Sequence, residues 1–220
     1  MVAALAKADL TIRALGRPRL AEQSGETWQR LALVVIVAGA VYGAFMGSFR
    51  LVSAERLLMV LYAAVKVPIL IFGTSLVCLP GFFVLNTVLG LRAEFGRALR
   101  AVLAGQAALT VALASLGPIT RFVYVNGVEH RWALLINAAM FTVATGIAQL
   151  VMLRRYRELV EINPLHRITL WVWVALYAFV GIQMGWMLRP FVGSPDVPVS
   201  FLRDEPLSNA YIVVLRLITG

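Results

Sequence analysis

Leu31-Ala32-Leu33-Val34-Val35-Ile36-Val37-Ala38-Gly39-Ala40-Val41-Tyr42-Gly43-Ala44-Phe45-Met46-Gly47-Ser48-Phe49 is the stretch that decides the fold. It carries no charge and is bracketed by Arg30 and Arg50. At about 1.5 Å per residue a helix of this length covers roughly 28 Å, the thickness of a bilayer's hydrocarbon layer. Trp28 stands just outside it, where an interfacial aromatic belongs. Gly39, Gly43 and Gly47 recur every fourth residue, shadowed by Ala40, Ala44 and Ser48. Such a row lines one helix face and lets a second backbone come close.

The rest of the chain has the same character. Of 220 residues, 60% are hydrophobic and 14% charged, and the mean hydropathy is +0.84. Soluble chains carry about 25% charged residues. The composition therefore predicts an all-α polytopic transmembrane bundle of about five spans with short interfacial helices. Beyond 31–49 the expected spans are 67–91, 101–118, 132–153 and 168–188. The apolar character of 57–91 is too long for one span, which needs about 20 residues. Splitting it at Lys66 and Pro68 makes 51–66 a short interfacial or re-entrant helix and lets Lys66 snorkel at the boundary. Pro80-Gly81 then falls mid-span, where a kink or local unwinding is expected. Residues 1–29 read as a basic tail, either loosely ordered or forming an interfacial helix. Residues 189–220 read as a Pro/Gly-rich loop followed by a short helix from about 207 to 219, too short to cross.

Charge distribution orients the bundle. With the N-terminus cytoplasmic, twelve Lys and Arg residues fall on that side and eight on the other. The Arg-dominated, Ala/Leu/Val/Gly-rich composition points to GC-rich coding and to a bacterial inner membrane. The net charge of +9 then finds its partner in anionic lipid headgroups, not in nucleic acid, for which no binding module is visible.

Most membrane chemistry is excluded by what the spans lack. None of the five contains Asp, Glu, His or Arg, so proton relays and ion-coupled pumping have no groups to work with. His130 and His166 fall on opposite sides, and the single cysteine, Cys78, lies in an apolar run. No metal, haem or other cofactor is expected, and no nucleophile is paired with a base. The chain reads as a non-enzyme.

Three constellations remain. The ladder Gly39, Gly43, Gly47, together with Gly181-x-x-x-Gly185 in the last span, forms either a homo-oligomer seam or a contact between spans one and five inside one chain. The second is the commoner arrangement. Gln106, Thr110, Asn86 and the Pro80 break could line a polar path for a neutral or anionic solute, although such groups more often bond neighbouring helices. Arg189 and Arg203 flank a stiff proline-rich loop and could clamp an anionic headgroup or a partner chain.

Short motifs also carry a resemblance. Lys66-Val67-Pro68-Ile69-Leu70, Phe83-Val84-Leu85-Asn86, and the run from Gly181-Ile182-Gln183-Met184-Gly185-Trp186 through Pro195 to Asn209 and Tyr211 resemble bacterial multi-pass proteins of the Yip1-type group. The resemblance implies a five-span bundle without enzymatic activity that acts by association, as a homo-oligomer or as a subunit of a membrane complex.

Overall fold

The computed structural model describes residues 28–51, 54–193 and 199–202. The expected interfacial elements in 1–27 and near 207–219, and Arg203, lie outside the described residues. The described chain forms five α-helices: α1 Trp28–Gly47, α2 Ala54–Val88, α3 Phe95–Val125, α4 His130–Ile162 and α5 His166–Met187. A short 3-10 turn, Arg92–Glu94, precedes α3. All five helices are long and apolar enough to cross a membrane, and the chain is an integral membrane protein.

Helix ends follow local chemistry. Gly90 and Gly127 adopt φ of 75° and 76°, the left-handed conformation that terminates a helix at little steric cost. Behind Gly90, the Leu91 N–H donates to the Asn86 carbonyl at 2.7 Å, and the Gly90 N–H donates to Thr87 at 3.1 Å. After α4, Asn163 accepts the Leu165 N–H on its side chain, and a tight turn starts α5 at His166.

α1, α2 and α3 form the centre, with α4 leaning on α3 and α5 on α2. One core cluster gathers Leu31, Val35, Tyr42, Val67, Ile71, Ala104, Leu113 and Ala144, from α1 to α4. A second, toward the α4–α5 turn, gathers Cys78, Phe82, Val102, Tyr156, Leu170 and Trp173. α3 is covered almost all round between Ala101 and Thr110, because Ala and Gly dominate that stretch and let α1, α2 and α4 close on it.

The division of 51–91 at Lys66 is corrected. A single helix of 35 residues runs unbroken through Lys66, Pro68 and Pro80. At roughly 52 Å it exceeds a hydrocarbon layer of about 30 Å, so it tilts or projects beyond it. Nor does the helix unwind at Pro80-Gly81. Proline is tolerated in membrane helices where neighbouring groups satisfy the freed backbone, and the Pro80 ring lies on the exposed outer face. Pro68 turns inward, its ring meeting the small face at Gly39.

Candidate functional site: helix seams and an enclosed lysine

The glycine ladder of α1 faces α2. A methyl group on Gly43 would overlap the Ala63 carbonyl and come within 2.8 Å of the Ala64 Cα. One on Gly47 would lie 2.6 Å from the Met59 carbonyl oxygen and 2.8 Å from the Val60 Cα. These are backbone atoms and cannot step aside, so only glycine permits this approach. Gly39 is looser, with Pro68 Cγ at 3.4 Å and Thr110 Cγ2 at 3.5 Å from an added methyl. Elsewhere Gly117 of α3 receives the Phe45 ring of α1, and Gly105 of α3 receives Met152 of α4.

The glycines of α5 behave differently. Gly181 sits loosely against the Thr74 methyl at 3.6 Å, and Gly185 has open space where a side chain would be. The expected pairing of spans one and five is therefore corrected. α2 lies between them and takes the close face of α1 on one side and α5 on the other.

The polar residues of the spans tie helices together. Gln106 Nε2 donates to Ser75 Oγ, joining α3 to α2. Thr110 Oγ1 bonds its own helix at Ala107 (3.0 Å), and its methyl turns toward Gly39. Tyr42 Oη donates to Asn137 Oδ1 at 2.9 Å, and Asn137 Nδ2 bonds Tyr124 Oη and the Ala133 carbonyl, linking α1, α4 and α3. Tyr42 also meets Phe141 edge-on, with ring centres 5.6 Å apart. Asn86 Nδ2 donates back to the Phe82 carbonyl at 2.8 Å. The four residues expected along a polar path do not converge. Gln106 and Thr110 lie where α1, α2 and α3 meet, Asn86 is eleven residues beyond Ser75 on α2, and Pro80 faces outward.

Lys66 is the feature the sequence did not place. It does not snorkel: its side chain is wholly enclosed. Nζ donates to the Pro190 carbonyl at 2.7 Å and lies 4.9 Å from the centre of the Phe201 ring and 5.8 Å from that of Phe191. The arrangement follows from the unequal lengths of α2 and α5. α5 runs antiparallel to α2 with Leu176 opposite Gly81 and Met184 opposite Gly73, then stops at Met187. The chain continues alongside α2, bringing Gly193 against Met59 and Phe201 edge-on to Tyr62 at 5.2 Å. The cation thus sits just beyond the C-terminus of α5, where the helix dipole favours positive charge. Two aromatic faces add cation–π attraction, strongest where water is excluded. This is how a lysine inside an apolar span avoids the cost of an isolated charge.

Arg189, expected to hold an anion, stacks its guanidinium over Trp186 with 3.5 Å from Cζ to the ring centre. On the exposed surface of α4, Arg157 and Glu161 form an i,i+4 pair at 3.1 Å, a contact worth a few tenths of a kcal/mol at most. No family model, curated protein or solved structure matches the chain. What stands of the expected family likeness is the five-helix polytopic membrane protein itself.

Proposed function

We propose that this protein is a non-enzymatic assembly subunit that holds other membrane proteins, or further copies of itself, through the uncovered faces of α4 and α5. One observation carries the reading. Only about a sixth of the apolar windows of α4 and α5 is covered within the chain, against 56% for α3. The two helices meet near their connecting turn, through Tyr156 and His166; otherwise α5 leans on α2, and α4 leans on α3 with a smaller contact to α1 through Tyr42. Their outer faces hold small residues where a partner helix can approach: Ala138, Thr142 and Gly146 at four-residue spacing on α4, and Gly185 on α5. The glycines of α1 are already engaged with α2, so the partner-facing surface belongs to the flanking helices. The motif likeness to Yip1-type proteins supports the same mode of action, by association. In this reading the protein sits in a bacterial inner membrane with its N-terminus cytoplasmic, following the balance of Lys and Arg between the two sides.

Facilitation of a neutral or anionic solute draws less support, because Gln106 is bonded to Ser75 and Thr110 to its own backbone. Liposome flux separates the two readings: reconstituted protein leaves permeability unchanged under the assembly reading.

Crosslinking in native membranes, with Gly146→Leu and Gly185→Leu, tests the proposal. The expected outcome is a crosslinked species in the unsubstituted chain that either substitution weakens while the purified chain keeps its fold. Monomer alone, or complexes indifferent to both substitutions, overturns it.

A further inference from the structure

A groove of about 360 Å³ runs along the last turns of α1, between that helix and α3. Its walls are Val41, Ala44, Phe45 and Leu51, and its polar end is Ser48 with Arg121. Val41 is well exposed, so the groove opens on the surface that faces lipid. Arg121 lies four residues before the end of α3, close to the boundary of the apolar span. Its guanidinium is aimed by Ser48: Nη1 donates to the Ser48 carbonyl at 2.9 Å and reaches Ser48 Oγ at 3.4 Å. Both contacts use one nitrogen of a fork that carries five N–H donors. Among the described residues, the remaining donors face no carboxylate within ion-pair distance.

We infer that this groove is a binding site for an anionic phospholipid. Its acyl chain lies along Val41, Ala44 and Phe45, and its phosphate is held by Arg121. The chemistry is complementary at both ends of such a molecule. The walls are apolar where a lipid tail is apolar, and a planar guanidinium suits phosphate oxygens in bidentate fashion. The position fits as well, with the cation at the end of the span and the trough below it. Arg50 stands at the same end of the bundle, on the turn that follows α1, and adds positive potential near the headgroup. The Ser48 tie matters because it holds the long side chain in one pose before the lipid arrives, which lowers the ordering cost of binding.

The test uses the full chain in detergent micelles, with lipid binding followed by native mass spectrometry. The probes are phosphatidylglycerol, phosphatidylcholine of the same tails, and inorganic phosphate alone. Phosphatidylglycerol is expected to bind about five- to tenfold more tightly than phosphatidylcholine, matching roughly 1 kcal/mol or slightly more per interfacial cation. Arg121→Gln should erase that preference while leaving residual tail binding. Val41→Trp narrows the trough from its lipid side with Arg121 intact, should weaken both lipids, and decides the matter if Arg121→Gln fails to fold. Equal binding of the two lipids by the unsubstituted chain overturns the inference. So does a response to phosphate alone that matches the lipid, or lipid binding that neither substitution changes. A dimer in micelles that Val41→Trp dissociates would also overturn it, by assigning the groove to a second copy.

Discussion

α2 has two antiparallel neighbours, and both bring glycine to it at four-residue spacing, yet the two seams are built on different physics. On the α1 side, Gly43 and Gly47 press against the backbone at Ala63 and Met59, closer than any side chain would allow. On the α5 side, a methyl added to Gly181 would meet only the Thr74 methyl, at 3.6 Å, and one added to Gly185 would enter open space. That side is held by larger groups: Phe82 against Trp173 at 4.8 Å between ring centres, Met184 in the notch at Gly73, and Lys66 bonded to the Pro190 carbonyl. Glycine spacing permits close approach without requiring it. The partner's surface decides whether the permission is used, and here α2 presents Ala63 and Ala64 to α1.

The contrast is sharpest where the same substitution has opposite signs on the two seams. Gly43→Ala should destabilise the bundle by about 3 kcal/mol or more, since the added methyl meets immovable backbone and the overpacking cost exceeds the gain in helix propensity. Unfolding in mixed micelles measures it, and stability equal to the unsubstituted chain would dissolve the contrast. Asn137→Ala comes next, at about 2 kcal/mol, because it leaves Tyr42 and Tyr124 without their shared partner across three helices. The same unfolding assay reports it, and a loss under about 0.5 kcal/mol would show that the network is not holding α1 in place.

Lys66→Met probes the α5 side. It keeps the bulk of the side chain but removes the cation from the Pro190 carbonyl, at a cost of about 1 kcal/mol. Hydrogen exchange should quicken at Phe191, Val192 and Gly193 while the α1–α2 amides stay protected. Unchanged exchange would show that the rings alone retain the segment. Gly185→Ala has the smallest expected effect, neutral to stabilising by about 0.5 kcal/mol, since the methyl enters open space and helix propensity improves. Marked destabilisation in the monomer would mean that α5 is packed more tightly than its open face implies.

Much of this was legible from residue order. Uncharged apolar runs between basic and aromatic ends mark the five spans, because a bilayer leaves a buried backbone few options other than helix. The inward face of α1 was marked by its glycines. The partner of that face was not, since spacing on one helix carries no address. Lys66 was misread for a similar reason. A charge in an apolar run looks locally like a boundary, and the carbonyl that accepts its hydrogen bond lies 124 residues further along the chain at Pro190. The unwinding expected at Pro80 does not occur, because a proline's effect depends on what surrounds the freed carbonyl. Arg121 and its groove had no signal in the sequence, because the groove brings Arg121 of α3 together with residues of α1 more than seventy positions earlier in the chain.

The close seam between α1 and α2 can be caught covalently. A methyl on Gly39 would lie 3.4 Å from the Pro68 Cγ and meets side-chain atoms only, so Gly39→Cys with Pro68→Cys, in a Cys78→Ala background, places two thiols within disulfide reach. Mild oxidation in membranes should consume both thiols within a single chain, leaving a monomer on a non-reducing gel. Free thiols, or a dimer released by reductant, would contradict the account, placing the glycine face of α1 against lipid or against another copy.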